Sequence, residues 1–427
     1  MSFTYKILTY GCKVNQYESQ AIREYWNSLG AKEIIGQEEI PQIILLAGCA
    51  VTAQGVADAR QMVRKISREM PEAKVIVTGC AASAEPQDFS FDNILMVVSQ
   101  TAKWNLLHYS PFALPQQLQE KNEEYPEFSI NDFARSRPVL KIQDGCSHFC
   151  TYCIVPYTRG KARSRNAQES IAELRRLFNA GFREVMISGI NLRQYYADKK
   201  NFWGFLRDIE KEFSQEWQGK VRLRLSSLEP AQLDNEGLET LEQSSLLCPH
   251  LHLSLQSGSP SVLKRMGREH YSPDFMIEQI NKIKNFWGTF ALGADILMGF
   301  PGETEQETLE TLTMVEALPL TYAHVFPFSV RKGTKAEKLP MQLEKNVKQE
   351  HAARVRAKIE EKKKIFAKQM IEKEKMFLSL DIGTNSGWNE FYVACELAGG
   401  EKITSHELLA VRPLSLENDI LKVQKIK

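Results

Sequence analysis

Between residues 138 and about 342, apolar runs of strand length alternate with amphipathic stretches of helix length. The strand candidates are Val139–Gln143, Glu184–Ser188, Val221–Ser226, Leu251–Leu255, Gly293–Met298 and Ala323–Ser329. Helical patterns such as Ala167–Asn179 and Pro273–Phe286 separate them. Strands that alternate with helices predict a parallel sheet. Six such repeats fit a partial, open (βα)6 barrel, in which functional side chains lie at the C-terminal ends of the strands.

The segments on either side of this region have different patterns. Residues 1–108 also alternate, with apolar runs at Tyr5–Thr9, Ile43–Ala47 and Val75–Thr78, and predict an α/β domain with a parallel sheet. Residues 376–427 carry short alternating runs punctuated by glycine, which fit a small β-barrel. These runs are Met376–Leu380, Phe391–Glu396, Leu408–Val411 and Ile420–Ile426. The predicted fold class is therefore α/β. The predicted division is an N-terminal domain (1–108), a proline-rich linker (109–137), the barrel (138–345), a charged linker helix (346–375) and the C-terminal β-barrel (376–427).

Composition and charge narrow the function classes. A formal net charge of +1 over 427 residues argues against a protein that coats nucleic acid nonspecifically, although it allows a local basic patch. No run approaches the roughly 18 apolar residues that span a bilayer, so no membrane association is expected. The N-terminal residues lack a signal-peptide pattern, and we therefore expect a cytoplasmic protein.

Three cysteines lie just after the first barrel strand, at Cys146, Cys150 and Cys153. Three thiolates on one loop can bind three irons of a [4Fe–4S] cluster and leave the fourth iron open to a small chelating molecule. Structural zinc is the alternative, but zinc normally takes four ligands in paired spacings, and His148 lies inside the loop. A ferredoxin would normally supply four cysteines.

A second set of cysteines consists of Cys12, Cys49 and Cys80. Each follows a glycine at the end of an apolar run of the N-terminal domain. Because the C-terminal ends of parallel strands share one edge of a sheet, the three thiols are predicted to converge. They form a candidate second [4Fe–4S] site, with buried cysteines that act as small hydrophobes as the alternative.

The Cys-x3-Cys-x2-Cys spacing resembles the radical S-adenosylmethionine (SAM) superfamily, and nearly the whole chain resembles its methylthiotransferase family. The matching motifs are Gly11–Ser19 (GCKVNQYES), Lys141–Cys146 (KIQDGC), Ile154–Arg165 (IVPYTRGKARSR), Leu225–Pro230 (LSSLEP), His252–Ser259 (HLSLQSGS), Gly299–Glu303 (GFPGE) and His324–Ser329 (HVFPFS). The opening GCKVNQ is most similar to the subgroup that acts on N6-threonylcarbamoyladenosine, immediately 3′ of the tRNA anticodon. The resemblance implies two [4Fe–4S] clusters, SAM, a tRNA substrate and a C-terminal domain of the TRAM type.

The resemblance also implies roles for individual residues. Cofactor contacts are expected from Tyr152, Gly189, Asn191, Ser227, Glu229 and Gln256. Substrate contacts are expected from Asn15, Arg163, Arg165 and Arg331, the middle two in a short basic run beside the barrel cysteines. The six cysteines would hold the metal clusters, and His250, His252 and His324 are interpreted as structural.

The implied reaction needs an electron donor of flavodoxin or ferredoxin type and a sulfur donor. A methylthiotransferase acting on isopentenyladenosine in tRNA, or on a ribosomal protein, is the alternative among enzymes. Outside enzymes the alternative is an iron–sulfur protein that binds RNA or senses redox state.

Overall fold

The computed structural model describes residues 3–36, 39–120, 123–400, 402–403 and 406–426. The chain divides into two compact units. Unit 1 comprises Met1–Asp132, Lys141–Arg165 and Ser329–Glu337, and unit 2 comprises Phe133–Leu140, Asn166–Phe328 and Lys338–Lys427. The segment with the barrel cysteines thus packs with the N-terminal residues, whereas the five-part division predicted above follows the order of the sequence.

The N-terminal part of unit 1 is a parallel sheet with helices. Its elements are β1 (Thr4–Thr9), α1 (Lys13–Ser28), β2 (Lys32–Glu33), β3 (Ile43–Gly48), α2 (Ala53–Glu69), β4 (Lys74–Gly79), α3 (Cys80–Ala84) and β5 (Ile94–Val97). The strand order is β2-β1-β3-β4-β5. β3 is buried at every position, as expected for a central parallel strand covered on both faces.

The segment that follows runs through both units. Strand β6 (Val139–Lys141) is followed by the hairpin strands β7 (Gln143–Asp144) and β8 (Arg163–Ser164), with the short helix α4 (Val155–Arg159) between them. The three barrel cysteines lie on the loop between β7 and α4.

Unit 2 contains the barrel. Its elements are α5 (Ala167–Asn179), β9 (Glu184–Ser188), β10 (Tyr196–Ala197), β11 (Lys200–Asn201), α6 (Phe202–Trp217), β12 (Arg222–Leu225), α7 (Asn235–Gln243), β13 (His250–Gln256), α8 (Pro260–Met266), α9 (Pro273–Trp287), β14 (Ala291–Met298), α10 (Glu305–Ala317) and β15 (Leu320–Pro327). Two three-stranded sheets, β12-β9-β6 and β13-β14-β15, are linked by a parallel bridge between Leu228 and Leu253. The predicted open barrel of six repeats is confirmed.

The charged helix α11 (Lys345–Gln369) leads into a closed barrel. Its strands are β16 (Met376–Leu380), β17 (Ser386–Asn389), β18 (Ala394–Leu397), β19 (Leu408–Glu417) and β20 (Ile420–Lys425). The predicted small β-barrel is therefore confirmed as a fold. The predicted run Phe391–Glu396 is displaced: the strand starts at Ala394, because Tyr392 turns the chain with a φ of 59°.

Candidate iron–sulfur and cofactor site

The three cysteines of the N-terminal sheet lie at the ends of adjacent strands. β1 pairs with β3 and β3 with β4, so that Thr9 lies opposite Ala47 and Gly48 opposite Gly79. Cys12 follows β1, Cys49 follows β3, and Cys80 begins α3 directly after β4. The sheet register therefore brings the three thiols to one edge, as their sequence pattern predicted.

The glycines before these cysteines are needed for the close approach of the loops. Gly11 has a φ of 98°, and a Cβ built there would lie 2.4 Å from Cβ of Cys49. Gly79 has a φ of 92°, and a Cβ there would lie 2.4 Å from the carbonyl oxygen of Gly48. Both positions are in the region of backbone space that glycine tolerates best. A side chain at either position would push the cysteine loops apart.

The three cysteines of this trio differ in exposure: Cys12 is exposed, Cys49 is partly exposed and Cys80 is buried. Partial burial raises the pKa of Cys49 to about 11, and the neighbouring thiols of Cys12 and Cys80 add to the rise. Because a metal binds the thiolate, loading would release protons. Three thiols at one edge are a donor set that fits an iron–sulfur cluster.

The barrel cysteines lie on a loop fixed by backbone hydrogen bonds. The amide of Cys146 donates to the carbonyl of Gly160 at 3.0 Å, and the amide of Cys153 donates to that of Cys150 at 3.0 Å. Gly145 lies so close to the carbonyl of Lys161 that no side chain fits there. Cys146 is buried, whereas Cys150 and Cys153 are partly exposed. A fold with partly open thiolates on one loop fits a cluster that also binds a small molecule.

A buried charge network lies beside the cysteines of unit 1. Arg159, on α4, donates to Glu18 and to Asp144, each at 2.9 Å. Lys141 donates to the same two carboxylates, at 2.7 and 2.8 Å, and Lys103 donates to Glu18 at 2.9 Å. Burial by itself would raise the pKa of Asp144, but Lys141 and Arg159 hold it at about 2. Both carboxylates are therefore ionised at neutral pH.

The residues expected to contact substrate are buried in unit 1. Asn15, Arg163, Arg165 and Arg331 expose between 1 and 6% of their surface. Asn15 bonds to the carbonyls of Tyr10 and Gly48, and Arg163 bonds to the carbonyl of Arg159. Arg165 donates to the hydroxyl of Tyr17, and Arg331 pairs with Glu85 at 3.0 Å. In this arrangement all four side chains bond to protein groups.

Several residues expected to contact the cofactor lie at strand ends of unit 2. Gly189 and Asn191 follow β9, and the Asn191 side chain caps a short helical turn by accepting from the amide of Arg193. Ser227 follows β12 and is exposed. Gln256 ends β13 with a φ of 61°, and such strain in a non-glycine residue is concentrated at functional sites. Tyr152 belongs to unit 1, on the cysteine loop, and is partly buried.

Glu229 has protein partners of its own. Its two oxygens accept from the guanidinium of Arg268 at 3.1 and 2.7 Å, and one of them also contacts Nε2 of His270 at 3.1 Å. Burial alone would raise the pKa of Glu229, but the hydrogen bonds and charges of His270 and Arg268 hold it at about 2. The described partners of this carboxylate are therefore Arg268 and His270.

Three features of the structure were not predicted from the sequence. The first is the buried network that contains Arg159 and Glu18, because the local sequence does not mark either charge as buried. Phe149 and Tyr157 are 43 and 53% exposed beside the barrel cysteines, and their rings meet edge to face at 5.7 Å. In unit 2, the His252 and His324 rings both contact Asp295 Oδ1 at 3.1 Å.

Comparisons with known proteins match the architecture. The profile of the radical SAM superfamily matches residues 140–315. The profile described as uncharacterized protein family UPF0004 matches residues 4–98. The fold resembles that of the radical SAM methyltransferase TsrM from Kitasatospora setae, with a TM-score of 0.55, 14% identity and 77% of each chain covered. At this identity the likeness concerns the fold alone. The profile match thus identifies a radical SAM domain in this chain.

Curated relatives specify the family. The chain is 35% identical to the threonylcarbamoyladenosine tRNA methylthiotransferase MtaB of Chlamydia pneumoniae, over 78% of this chain and 76% of that one. It is also 35% identical to the protein of that name in Bacillus subtilis, over 84 and 81%. A tRNA-2-methylthio-N(6)-dimethylallyladenosine synthase of Caldicellulosiruptor saccharolyticus is 31% identical over 84 and 78%. The chain belongs to the radical SAM methylthiotransferase family, which confirms the expected family and enzyme class.

Membership in the radical SAM superfamily implies SAM and one [4Fe–4S] cluster. Among the residues that the structure describes, no helix combines the length and the apolar character needed to cross a membrane.

Proposed function

We propose that this enzyme converts N6-threonylcarbamoyladenosine, immediately 3′ of the tRNA anticodon, to its 2-methylthio derivative. The observation that carries the proposal is the presence of two three-cysteine sites in one compact unit. The names of the relatives at 35% identity supply the substrate. A single radical SAM cluster would not require the second set of thiols.

We assign one [4Fe–4S] cluster to Cys146, Cys150 and Cys153 and a second, auxiliary cluster to Cys12, Cys49 and Cys80. Together with SAM, the two clusters would supply the chemistry that abstracts hydrogen from C2 of the adenine and delivers a methylthio group to that carbon. A C2–H bond has no useful acidity, so general-base chemistry would not suffice. The protein would hold the thiolates, bind SAM through Tyr152, Gly189, Asn191, Ser227, Glu229 and Gln256, and orient the nucleoside.

The buried positions of Asn15, Arg163, Arg165 and Arg331 support an indirect part in substrate binding, through the cysteine loops. Direct contact with RNA is better supported for the exposed neighbours Lys161, Phe149 and Tyr157. Unstacked bases of RNA loops bind aromatic side chains, and an exposed lysine suits phosphate. We also propose that the C-terminal barrel is a TRAM-like domain that contributes to tRNA binding.

The reaction would take place in the cytoplasm. It requires an electron donor of flavodoxin or ferredoxin type and a sulfur donor, since each turnover consumes electrons and sulfur. These partners follow from the proposed chemistry.

The test is mass spectrometry of nucleosides from tRNA of a strain that lacks the gene. We expect 2-methylthio-N6-threonylcarbamoyladenosine to disappear, with its unmethylthiolated precursor accumulating. The wild-type gene should restore the product, and variants Cys49→Ala and Cys150→Ala should not. If the product persists while a methylthiolated isopentenyladenosine disappears, the substrate assignment is wrong. This second substrate is the alternative because of the 31% identical relative.

Anaerobic reconstitution tests the cofactors separately. Two four-iron clusters give about eight iron atoms per chain. Iron near four would leave the auxiliary site without a cluster and contradict the proposal. Zinc without SAM cleavage would contradict it as a whole.

A further inference from the structure

One buried guanidinium contacts both Cys80 and a carboxylate that precedes the barrel cysteines. Arg159 exposes 1% of its surface. Its Nε lies 3.3 Å from Sγ of Cys80. Its Nη1 donates to Glu18 and Asp144, and its Nη2 donates to the amide oxygen of Asn15 at 3.1 Å. All three nitrogens therefore have partners, and one partner is a proposed cluster ligand.

The partners of Arg159 belong to the segments that carry the cysteines. Asn15 and Glu18 lie on α1, which begins immediately after Cys12. Asp144 precedes Cys146 by two residues, and Arg159 itself lies on the helix that follows Cys153. Asn15 also donates to the carbonyl of Gly48, next to Cys49. The guanidinium thus connects the loops of both proposed clusters through direct hydrogen bonds.

Among the ion pairs of the described residues, the charges of this network do not balance. The cations Lys103, Lys141 and Arg159 face the carboxylates of Glu18 and Asp144, and this leaves one positive charge in excess. A buried charge without a counter-charge is costly. The Nε of Arg159 points at Cys80, where a metal-bound thiolate would supply negative charge.

We propose that Arg159 is a positioning residue of the auxiliary cluster, whose hydrogen bond to the Cys80 thiolate raises the reduction potential of that cluster. Hydrogen bonds to the sulfurs and the local charge are among the factors that set the potential of an iron–sulfur cluster. The bond stabilises the reduced form most, because that form carries more negative charge. This inference rests on the proposed auxiliary cluster.

A purely structural salt-bridge network is the alternative, and Lys103 offers the matched control. Lys103 is as buried as Arg159 and bonds to the same Glu18. Arg159→Met and Lys103→Met each remove one positive charge from the network. Of the two variants, only Arg159→Met removes a described hydrogen bond to a cysteine.

The experiment measures the potential of the auxiliary cluster in the full-length chain. Cys146→Ala, Cys150→Ala and Cys153→Ala together leave one cluster, loaded anaerobically to about four iron atoms per chain. Dithionite adds one electron per cluster, and electron paramagnetic resonance follows the reduced form. Relative to Lys103→Met, we expect Arg159→Met to reduce the ratio of reduced to oxidised cluster at least tenfold at a fixed potential, a shift of about 59 mV.

A second pair of variants covers the case in which Arg159→Met fails to load. Arg159→Lys keeps the charge but loses the planar fork that reaches four partners, so we expect a lower potential than in the parent. Lys103→Arg should leave the potential unchanged. Equal potentials for the two methionine variants, or for the parent and Arg159→Lys, would overturn the inference about Arg159. The assignment of the auxiliary cluster would not be affected. A parent that binds no iron would overturn the auxiliary cluster itself.

Discussion

In unit 2, Nε of Arg224 lies 2.6 Å from Oε1 of Glu184, and both side chains are fully buried. The same guanidinium donates to the carbonyls of Asn389 and Glu390 in the C-terminal barrel. Arg222 repeats the pattern, with Glu184 on one side and the carbonyls of Phe377 and Trp388 on the other. One carboxylate therefore orients two arginines that attach the C-terminal barrel to strand β12.

Glu184→Gln should destabilise unit 2 and remove part of its pH dependence. Burial would raise the pKa of Glu184, but Arg222 and Arg224 outweigh it and hold the pKa at about 2, below the ordinary 4.5. A depressed pKa contributes stability that is complete above pH 4.5 and is lost as the pH falls toward 2. Breaking such a buried pair costs about 3–5 kcal/mol. Thermal unfolding at pH 7 and at pH 3.5 measures both effects.

The comparison with the wild type isolates this carboxylate from the others that titrate in acid. We expect a large difference in unfolding temperature at pH 7, which shrinks as the pH falls below 4.5. Glu236→Gln is a control, since its carboxylate pairs with Arg207 at an exposed site. A difference between wild type and Glu184→Gln that is constant with pH would contradict the assignment.

Gly11→Ala should prevent loading of the proposed auxiliary site. The new Cβ would lie 2.4 Å from Cβ of Cys49, at a φ of 98°. Displacing either loop separates the thiols, so we expect iron to fall from about eight to about four atoms per chain. Gly30→Ala is the control: its φ is also positive, at 79°, but no atom lies within 4 Å of the added Cβ. Equal iron contents in the two variants would show that the spacing of the cysteine loops does not control loading of the auxiliary site.

Much of the fold could be predicted because buried strands and capped helices have local signals. Helix α5 matches its prediction from Ala167 to Asn179, since Asn166 caps its start and Gly181 follows its end. Strand β17 (Ser386–Asn389) was missed. It contains one large apolar residue, Trp388, and it is stabilised by pairing with β16 and β18. Such pairing depends on residues outside the strand, and a short polar segment does not show it.

The cysteines of the candidate site could be predicted from the sequence, but the second layer around them could not. Cysteines at the ends of parallel strands converge by topology alone. The short basic run that ends at Arg165 predicts contact with substrate, yet Arg159 pairs in the structure with Glu18, 141 positions away. No spacing rule connects such residues. Burial of charge follows from tertiary packing, and the sequence shows only the charge.

Phe149→Ala and Tyr157→Ala should weaken tRNA binding without affecting SAM cleavage. Both rings are exposed beside the barrel cysteines, and base–aromatic stacking contributes roughly 1–3 kcal/mol per base. We expect the Kd for tRNA to rise about fivefold or more in each variant. Formation of 5′-deoxyadenosine in the absence of RNA should stay at the wild-type level. Phe112→Ala, at a ring that is 57% exposed outside the cysteine loop, is the control. An unchanged Kd in both loop variants would assign the RNA contact elsewhere.

Glu229→Gln should weaken SAM binding, and comparison with a variant of Arg268 shows whether the effect is direct. With a pKa of about 2, Glu229 is ionised at every pH at which the enzyme is handled, so SAM affinity should show no titration of this group. A hydrogen bond to a charged group contributes about 1.5–3 kcal/mol, so the Kd for SAM should rise at least tenfold.

The glutamine variant also deprives Arg268 of its carboxylate. We therefore compare it with Arg268→Lys, which keeps the charge of the pair but loses the bidentate contact. If Glu229 binds SAM, Glu229→Gln should reduce affinity much more than Arg268→Lys, as measured by equilibrium dialysis of the loaded enzyme. Equal losses would show that Glu229 serves to hold Arg268 and the end of β13, through the bond from Arg268 to the carbonyl of Ser254.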